Sequence, residues 1–396
     1  MRILYHHRTA SRDGQSTHIE QMIRALRALG HEVTVAAPGV EDSSQSGGSP
    51  GWAGRLKRTL PKPVYEIMEL AYSVVAYRRL KHAIRAFQPV GIYERYSLFL
   101  VAGIWARTRF GLPLVLEVNA PVAIERRIYG GLSLAWLADW VEHYVWRHAD
   151  VVLPVTQVLA EHIIAQGVPR ERVVVISNGV NVADYSAIPN TDEAKIRLGL
   201  SGRLVIGFTG FVREWDRLDR IVRWLAVHQG PERTHLLVVG DGPARTEIES
   251  CAKACGVSDR VTFTGVIRRE EVPAAAAAFD IALQTALVPY ASPLCLFEYM
   301  ALGKAIVAPD QPNHREILRD GIDALLYDPE DPAGIEEALD TLCSDPALRE
   351  RIAAGACATI AERRLTWIDH AERVANLFSR IERERAYKRP AAAQAQ

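Results

Sequence analysis

Several things are scarce in this chain of 396 residues. Excess charge of one sign is absent, because 47 Lys and Arg balance 47 Asp and Glu. Net charge therefore does not point to a polyanion, and no nucleic-acid partner is expected. Cysteines number only five, an odd count at Cys251, Cys255, Cys295, Cys343 and Cys357 with no framework spacing, which excludes a disulfide scaffold and fits a reducing compartment. Cys251 and Cys255 share a helix face, but no second His or Cys pair lies nearby to complete a zinc site, so packing is the expected role. Uninterrupted apolar runs of ~20 residues are lacking, which excludes a membrane-spanning helix. The first 14 residues contain no stretch apolar enough for a signal peptide. A cytoplasmic protein is expected.

What is present is a regular alternation of short apolar runs with amphipathic stretches, the pattern of βα units and parallel sheets. Arg2–Tyr5 reads as a first strand, and Ile19, Ile23, Leu26 and Leu29 mark a helix that Gly30 stops. Leu114–Val118 and Val151–Pro154 read as further buried strands. After Asn178-Gly179-Val180-Asn181 the pattern restarts with strands at Leu204–Phe208, Leu236–Val239, Val261–Phe263, Ile281–Gln284 and Ile306–Ala308. The chain is thus α/β, with two consecutive Rossmann-like, doubly wound parallel-sheet domains expected over residues 1–185 and 186–375. In such sheets ligands sit at the carboxyl ends of the strands, so two of them imply a cleft. Residues 376–396 are expected to be a helix end and a tail without structure, and residues 41–54, rich in Ser, Gly and Pro, a mobile loop.

The segment 292–310, SPLCLFEYMALGKAIVAPD, carries the strongest chemical signal. Ser292-Pro293 starts a helix whose first-turn N–H groups are free to meet an anion, and Glu298 falls one turn further in, where it can accept from a pair of sugar hydroxyls. The stretch resembles the donor-binding motif of glycosyltransferase family 4, the retaining enzymes of the GT-B fold. Other pieces are similar in the same order: Asp13-Gly14-Gln15 with His18, Gly30-His31-Glu32-Val33, Ala149-Asp150, Asn178-Gly179-Val180-Asn181, Gly240-Asp241-Gly242-Pro243 and Thr264-Gly265.

The resemblance implies an enzyme of hexosyltransferase type that moves a sugar from a nucleotide diphosphate to an acceptor with retention of configuration. The nucleotide sugar is a substrate, and no cofactor is implied. Carried over by position, Glu298 holds the donor ribose, and Leu294, Cys295 and Leu296 present backbone N–H groups to the diphosphate. Gly14 and Gln15 approach it from the N-terminal loop, Gly265 forms the base-binding turn, and Tyr290, Ser292 and Pro293 complete the donor side. The acceptor side falls to the N-terminal domain, with His18 and Glu125 as candidates.

A departing diphosphate needs positive charge or dipoles around it. No two aspartates are spaced as D-x-D, so metal-independent transfer is expected, with the cation supplied by Arg213 or Arg217. Here the chain departs from the family: Phe211 and Asp216 stand where Arg and Lys are usual, Tyr290 where many members have a first Glu, Cys295 where a variant has Lys, and Asn119 where many have His. Asn119 is the catalytic stand-in that the resemblance implies. Arg217 is expected to pair with Asp216 or with the phosphate. These departures keep a second reading open, a catalytically weak GT-B protein that binds nucleotide sugar or partners an active subunit. A sugar epimerase is a third.

Residues 52–85 combine eight Lys or Arg with Trp52, Tyr72 and Tyr77 against only Glu66 and Glu69. Such a stretch can lie on anionic headgroups or form a solvated helix face, so peripheral contact with the inner face of a membrane stays open. Trp136, Trp140 and Tyr144 recur every fourth residue; core packing is expected of them in preference to an acceptor platform. The acceptor class is a carbohydrate, a lipid-linked sugar or a small molecule. Base, sugar and acceptor have no signature in the side chains.

Overall fold

Parallel strands buried on both faces dominate the computed structural model, which describes residues 1–9, 14–38, 60–228 and 234–393. The chain divides into two units, Met1–Ser177 with Trp367–Gln396, and Asn178–Thr366. No helix among the described residues is long and apolar enough to cross a membrane.

The first unit runs β1 (Arg2–His6), α1 (Gly14–Ala28), β2 (Glu32–Ala36), α2 (Lys62–Phe87), β3 (Gly91–Arg95), α3 (Ala102–Phe110), β4 (Leu114–Val118), α4 (Val122–Glu125), a π-helical turn (Arg126–Gly130), α5 (Ala135–His148), β5 (Val151–Pro154) and α6 (Gln157–Ala165). Its five strands lie in the order β2-β1-β3-β4-β5, all parallel. The second unit runs α7 (Thr191–Arg197), β6 (Val205–Thr209), α8 (Leu218–Val227), β7 (His235–Val239), α9 (Arg245–Ala254), β8 (Val261–Phe263), α10 (Val272–Ala276), β9 (Ile281–Leu283), α11 (Leu294–Ala301), β10 (Ala305–Pro309), α12 (Pro312–Arg315), β11 (Leu325–Tyr327), α13 (Gly334–Ser344) and α14 (Pro346–Glu362). Its six parallel strands lie in the order β11-β10-β9-β6-β7-β8. Alternate residues of β6 feed two cores: Ile206 and Phe208 pack with α8, α9 and α13, while Val205 packs on the other face with Phe279, Phe297 and Tyr299.

Three expectations are corrected. The boundary expected near residue 185 falls at 177/178, and the end of the chain does not stay with the second unit. The last helix, α15 (Trp367–Ala393), belongs to the first unit. Its stripe of Trp367, Ala371, Val374, Phe378 and Ile381 is buried, spaced alternately by four and three residues, and α15 packs on α1. Arg385 fastens it further, donating to the Gly111 carbonyl and to Asp150. Secondly, residues 389–393, expected in the unstructured tail, continue this helix, Pro390 included. Thirdly, Trp136 and Trp140 are 71% and 57% exposed and do not pack in a core, because α5 turns Ala138, Val141, Glu142 and Val145 inward instead. Residues 41–54 lie outside the described residues.

Candidate functional site

Each sheet has one point where its strand order reverses, and there the loops leave in opposite directions and open a crevice. In the first unit this point lies between β1 and β3, and in the second between β6 and β9.

In the second unit the strands at the switch end in neutral polar residues. Thr209 closes β6, Gln284-Thr285 follow β9, and Asp310, paired with Arg315, and then Gln311 follow the neighbouring β10. Among the described residues, the Thr285 hydroxyl and the side-chain carbonyls of Gln311 and Asn313 are buried without a hydrogen-bond partner, while the Thr209 hydroxyl lies within reach of that of Tyr299. Unpartnered oxygens of this kind, clustered past the ends of two adjacent strands, can be completed by a polar ligand or by water.

The start of α11 lies beside these groups. Asn178 donates its backbone N–H to the Ser292 hydroxyl (3.1 Å) and its side-chain amide to the Ser292 carbonyl (2.5 Å). Asn313 donates to the carbonyls of Val288 and Ala291. The loop before α11, with Tyr290 half-buried in it, is thereby held from both sides, and Ser292 serves it as an anchor. Pro293, in extended backbone, opens the helix, so the N–H groups of Leu294, Cys295 and Leu296 lie at its positive end; that of Leu296 reaches back to the Pro293 carbonyl at 3.3 Å. Cys295 donates its thiol to Gln284 at 3.2 Å. Burial, with Glu298 close by, pushes this thiol up to about 12, so it is a neutral donor at physiological pH.

Glu298 sits one turn into α11. Burial raises its carboxyl above the usual range, opposed by the Arg269 guanidinium at 3.6 Å and by a hydrogen bond from the Tyr185 hydroxyl. Neither Arg269 nor Tyr185 was singled out from sequence. Tyr185 follows the Asn178–Asn181 motif closely and could have been sought there; Arg269 lies in a charged surface segment with no signal.

The loop after β6 is shaped by close approach. A side chain on Gly240 would stand 2.0 Å from the Gly210 carbonyl oxygen, and one on Gly242 2.0 Å from that of Val212, so only glycine lets the two loops touch. Arg213 stacks its guanidinium over Phe211 (5.2 Å) and Trp215 (4.7 Å) and is otherwise exposed. Asp216 does not pair with Arg217. It is buried and accepts from the Arg213 backbone N–H at 2.8 Å, and its charge is near enough to help raise the Cys295 thiol. Arg217 takes a left-handed backbone (φ 50°) and approaches Asp219 at 3.9 Å. Both arginines line a cavity of about 340 Å³ whose other walls include Leu218, Ala244, Glu247 and Ile248. Gly265, also left-handed (φ 68°), follows Thr264, whose hydroxyl accepts from Gly240 N–H at 3.1 Å.

The strand ends of the first unit carry ionised groups. Glu117, at the end of β4, accepts from the Tyr93 hydroxyl (2.8 Å), Asn119 (2.5 Å) and Arg95, and lies 2.9 Å from His18. Burial pushes its carboxyl up, but His18 and Arg95 outweigh burial and hold it well below the usual carboxylate range. His18 is 4% exposed and packs against Trp367, with the ring centroids 4.7 Å apart. Asn119 remains half-buried at the edge. Glu125 ends α4 and is half-buried. His6 pairs with Glu94 at 2.5 Å. Gly14 and Gln15 open α1; the loop before them, residues 10–13, lies outside the described residues. No group of acidic, His or Cys side chains able to hold a metal occurs among the described residues.

Residues 13–179 match the glycosyl transferase 4-like domain, and residues 203–345 match the glycosyl transferases group 1. The chain is 26% identical over 312 residues to a GDP-mannose-dependent alpha-mannosyltransferase of Mycobacterium tuberculosis, covering 77% of this chain and 78% of that one. It is 25% identical to the D-inositol 3-phosphate glycosyltransferase of Xylanimonas cellulosilytica, over 95% of this chain and 94% of that one. Among solved structures, HepE of Anabaena in complex with UDP superposes with a TM-score of 0.74 at 21% identity, covering 96% of this chain and all of the other. The sucrose-phosphate synthase of Thermosynechococcus elongatus does so at 0.75 and 17%, covering 97% and 100%. Both matches are likenesses of fold. With the two family models matched in order on two parallel-sheet α/β units, the chain belongs to the group 1 glycosyltransferases of the GT-B fold.

Proposed function

We propose that this glycosyltransferase moves a sugar from a nucleotide diphosphate to an acceptor with retention of configuration, without a divalent metal and without a cofactor. The observation that carries the donor site is the set of unpartnered polar groups past the ends of β9 and β10 beside the start of α11. The diphosphate meets the first-turn N–H groups of α11, the Cys295 thiol and the Arg213 guanidinium. Glu298, held by Arg269 and Tyr185, accepts from the ribose hydroxyls. As the bond to the sugar breaks, negative charge grows on the leaving phosphate, where a helix N-terminus and an arginine stabilise it. Retention is supported by the family pattern, and metal independence by the missing D-x-D.

UDP in the Anabaena structure and GDP-mannose in the mycobacterial relative make uridine and guanosine the first bases to test. For the acceptor, a carbohydrate, a lipid-linked sugar and an inositol-like small molecule are the classes in play, approached by Asn119 and Glu125 of the first unit. A lipid-linked acceptor brings the chain against an anionic membrane surface on the cytoplasmic side.

The test is release of nucleoside diphosphate from a panel of nucleotide sugars with candidate acceptors in excess EDTA, followed by NMR of the anomeric proton in the product. Turnover with retained configuration is expected. Saturable nucleotide-sugar binding without release favours the weak-enzyme reading, which Asp216 and Tyr290 motivate. Activity lost in EDTA and restored by manganese overturns metal independence.

A further inference from the structure

Three strand-end loops of the first unit converge on helix α2. Arg8 stands two residues past β1, Leu98 and Phe99 lie in the loop after β3, and Arg126 begins the π-helical turn that follows α4. Arg8 donates to one oxygen of Glu69 and Arg126 to the other, each at 2.7 Å. Arg8 also approaches the Leu98 carbonyl at 3.4 Å. Ser73, one turn beyond Glu69, fixes the middle loop. Its hydroxyl donates to the Phe99 carbonyl at 3.0 Å and accepts from the Val101 N–H at 3.1 Å. Phe99 is held in a left-handed backbone (φ 64°), costly for a residue with a side chain, and its ring lies 5.6 Å from the Arg126 guanidinium.

Aromatic side chains flank the other arginine as well. Arg8 lies 5.5 Å from the Tyr72 ring. Burial and Glu69 raise the half-buried Tyr65 hydroxyl above its ordinary value, while Arg8 and Arg126 lower it, so it stands near all three charges. Tyr65, Glu69 and Tyr72 follow helical spacing and share one face of α2.

The charges in this cluster do not balance. Among the described residues, neither Arg8 nor Arg126 is paired with a second carboxylate, so two guanidiniums meet one negative charge. Their side chains are 23% and 24% exposed, and that of Glu69 is 11% exposed. A structural ion pair needs one arginine for its carboxylate; a second, largely withdrawn from water, leaves positive charge that a ligand can meet. Arg126 uses one N–H on Glu69, and a guanidinium has five. Arginine forks held by aromatic rings suit the oxygens of a phosphate. The place is also suitable, because the strand order of this sheet reverses between β1 and β3 and ligands enter at the carboxyl ends there.

We infer that Arg8 and Arg126 form an anion subsite of the first unit that binds a phosphate group of the acceptor. Assigning the phosphate to the acceptor rests on the proposed transfer; the subsite itself does not. The same group can be carried by a soluble sugar phosphate or by a lipid-linked acceptor.

Isothermal titration of the full-length chain at constant ionic strength compares glucose, inorganic phosphate, glucose 6-phosphate and dihexanoyl phosphatidylglycerol below its micelle concentration. The phosphate ligands should bind and glucose should not. Tighter binding of the lipid than of glucose 6-phosphate assigns the phosphate to a lipid source, and the reverse order to a soluble one. Arg8→Ala and Arg126→Ala should each weaken binding more than about tenfold. Arg170→Ala, which removes an exposed arginine of the same unit, should leave it unchanged. Circular dichroism checks folding. Should an alanine variant unfold, Arg126→Lys keeps the charge beside Glu69 but loses the fork, and should still weaken binding. Absence of phosphate binding, binding that survives both alanine substitutions, or an equal loss in Arg170→Ala overturns the subsite. So does a loss that follows Arg213→Ala instead, which would put the anion in the donor site and support the donor reading. A chain that binds glucose 6-phosphate through Arg126 but no nucleoside diphosphate keeps the subsite and contradicts the donor reading.

Discussion

The two sheets finish their strands with opposite chemistry. In the first unit the ends of β3 and β4 carry Glu94, Arg95 and Glu117, each paired with a neighbour inside the protein. In the second, the ends of β6, β9 and β10 carry Thr209, Gln284, Thr285 and Gln311, with unpartnered oxygens on Thr285 and Gln311, and the carboxylate there, Asp310, is paired with Arg315. A paired ion cluster is complete without a ligand and sets loop geometry. Unpartnered oxygens beside a helix N-terminus suit an anion with hydroxyls. On the proposed reading the edge of the second sheet receives the donor while the ion cluster of the first fixes its loops, and single substitutions should separate the two roles.

Arg95→Ala should show the largest effect, in stability. It leaves Glu117 charged and buried with less compensation, a loss of about 3–5 kcal/mol when one partner of a buried pair is removed. Urea unfolding measures it; a loss below 1 kcal/mol would make the cluster ornamental. Arg213→Ala should do the reverse, sparing stability and lowering kcat by about 10²–10³-fold. Arg217→Ala, at a residue that leans on Asp219, should fall less. If the order is inverted, the clamp is Arg217.

Asp216→Lys tests how far family resemblance carries. Restoring the commoner lysine removes the acceptor of the Arg213 N–H, and an unsatisfied buried donor costs about 1–3 kcal/mol. A lower melting temperature without gain in kcat is expected; a faster enzyme would show that the lost charge matters more than the cap. The smallest effect is in pH dependence. Burial raises Glu142 to about 7, while it accepts from the Tyr96 hydroxyl and the Ala123 N–H. The folded state therefore holds this proton where the unfolded chain has lost it. Stability from Glu142 is full below the unfolded value of about 4.3 and declines as pH rises toward 7. Glu142→Gln should flatten melting temperature between pH 5 and 7, and an unchanged slope would place the titration elsewhere. Glu117 has the opposite sign: its contribution is present above the unfolded value and is lost as pH falls toward its depressed folded value.

The alternation of βα units was legible because parallel strands buried on both faces need continuous apolar runs, and the start of α11 was legible because Ser-Pro before an apolar helix has a fixed backbone meaning. The return of α15 to the first unit was not, since its stripe shows that it packs but not on which sheet. Arg269 beside Glu298 was not, because a charged surface segment looks alike wherever it folds. Trp136 and Trp140 misled: periodic aromatics usually face a core, yet Ala138, Val141 and Val145 on the same helix filled that face first. Asp216 looked like a fault in a phosphate loop, and its burial as a backbone acceptor depends on the turn of Glu214–Asp216, which spacing does not reveal.

The central claim is that the edge of the second sheet binds a nucleoside diphosphate without metal. Thermal unfolding with UDP, GDP, ADP and dTDP in excess EDTA tests it most directly, on wild type, Arg213→Ala and Glu298→Gln. One nucleotide should stabilise the wild type, by about 2.7 kcal/mol at a hundred times its Kd. Both variants should need markedly more ligand for the same shift. No shift with any nucleotide, or a shift that appears only with manganese or survives unchanged in both variants, would contradict the account.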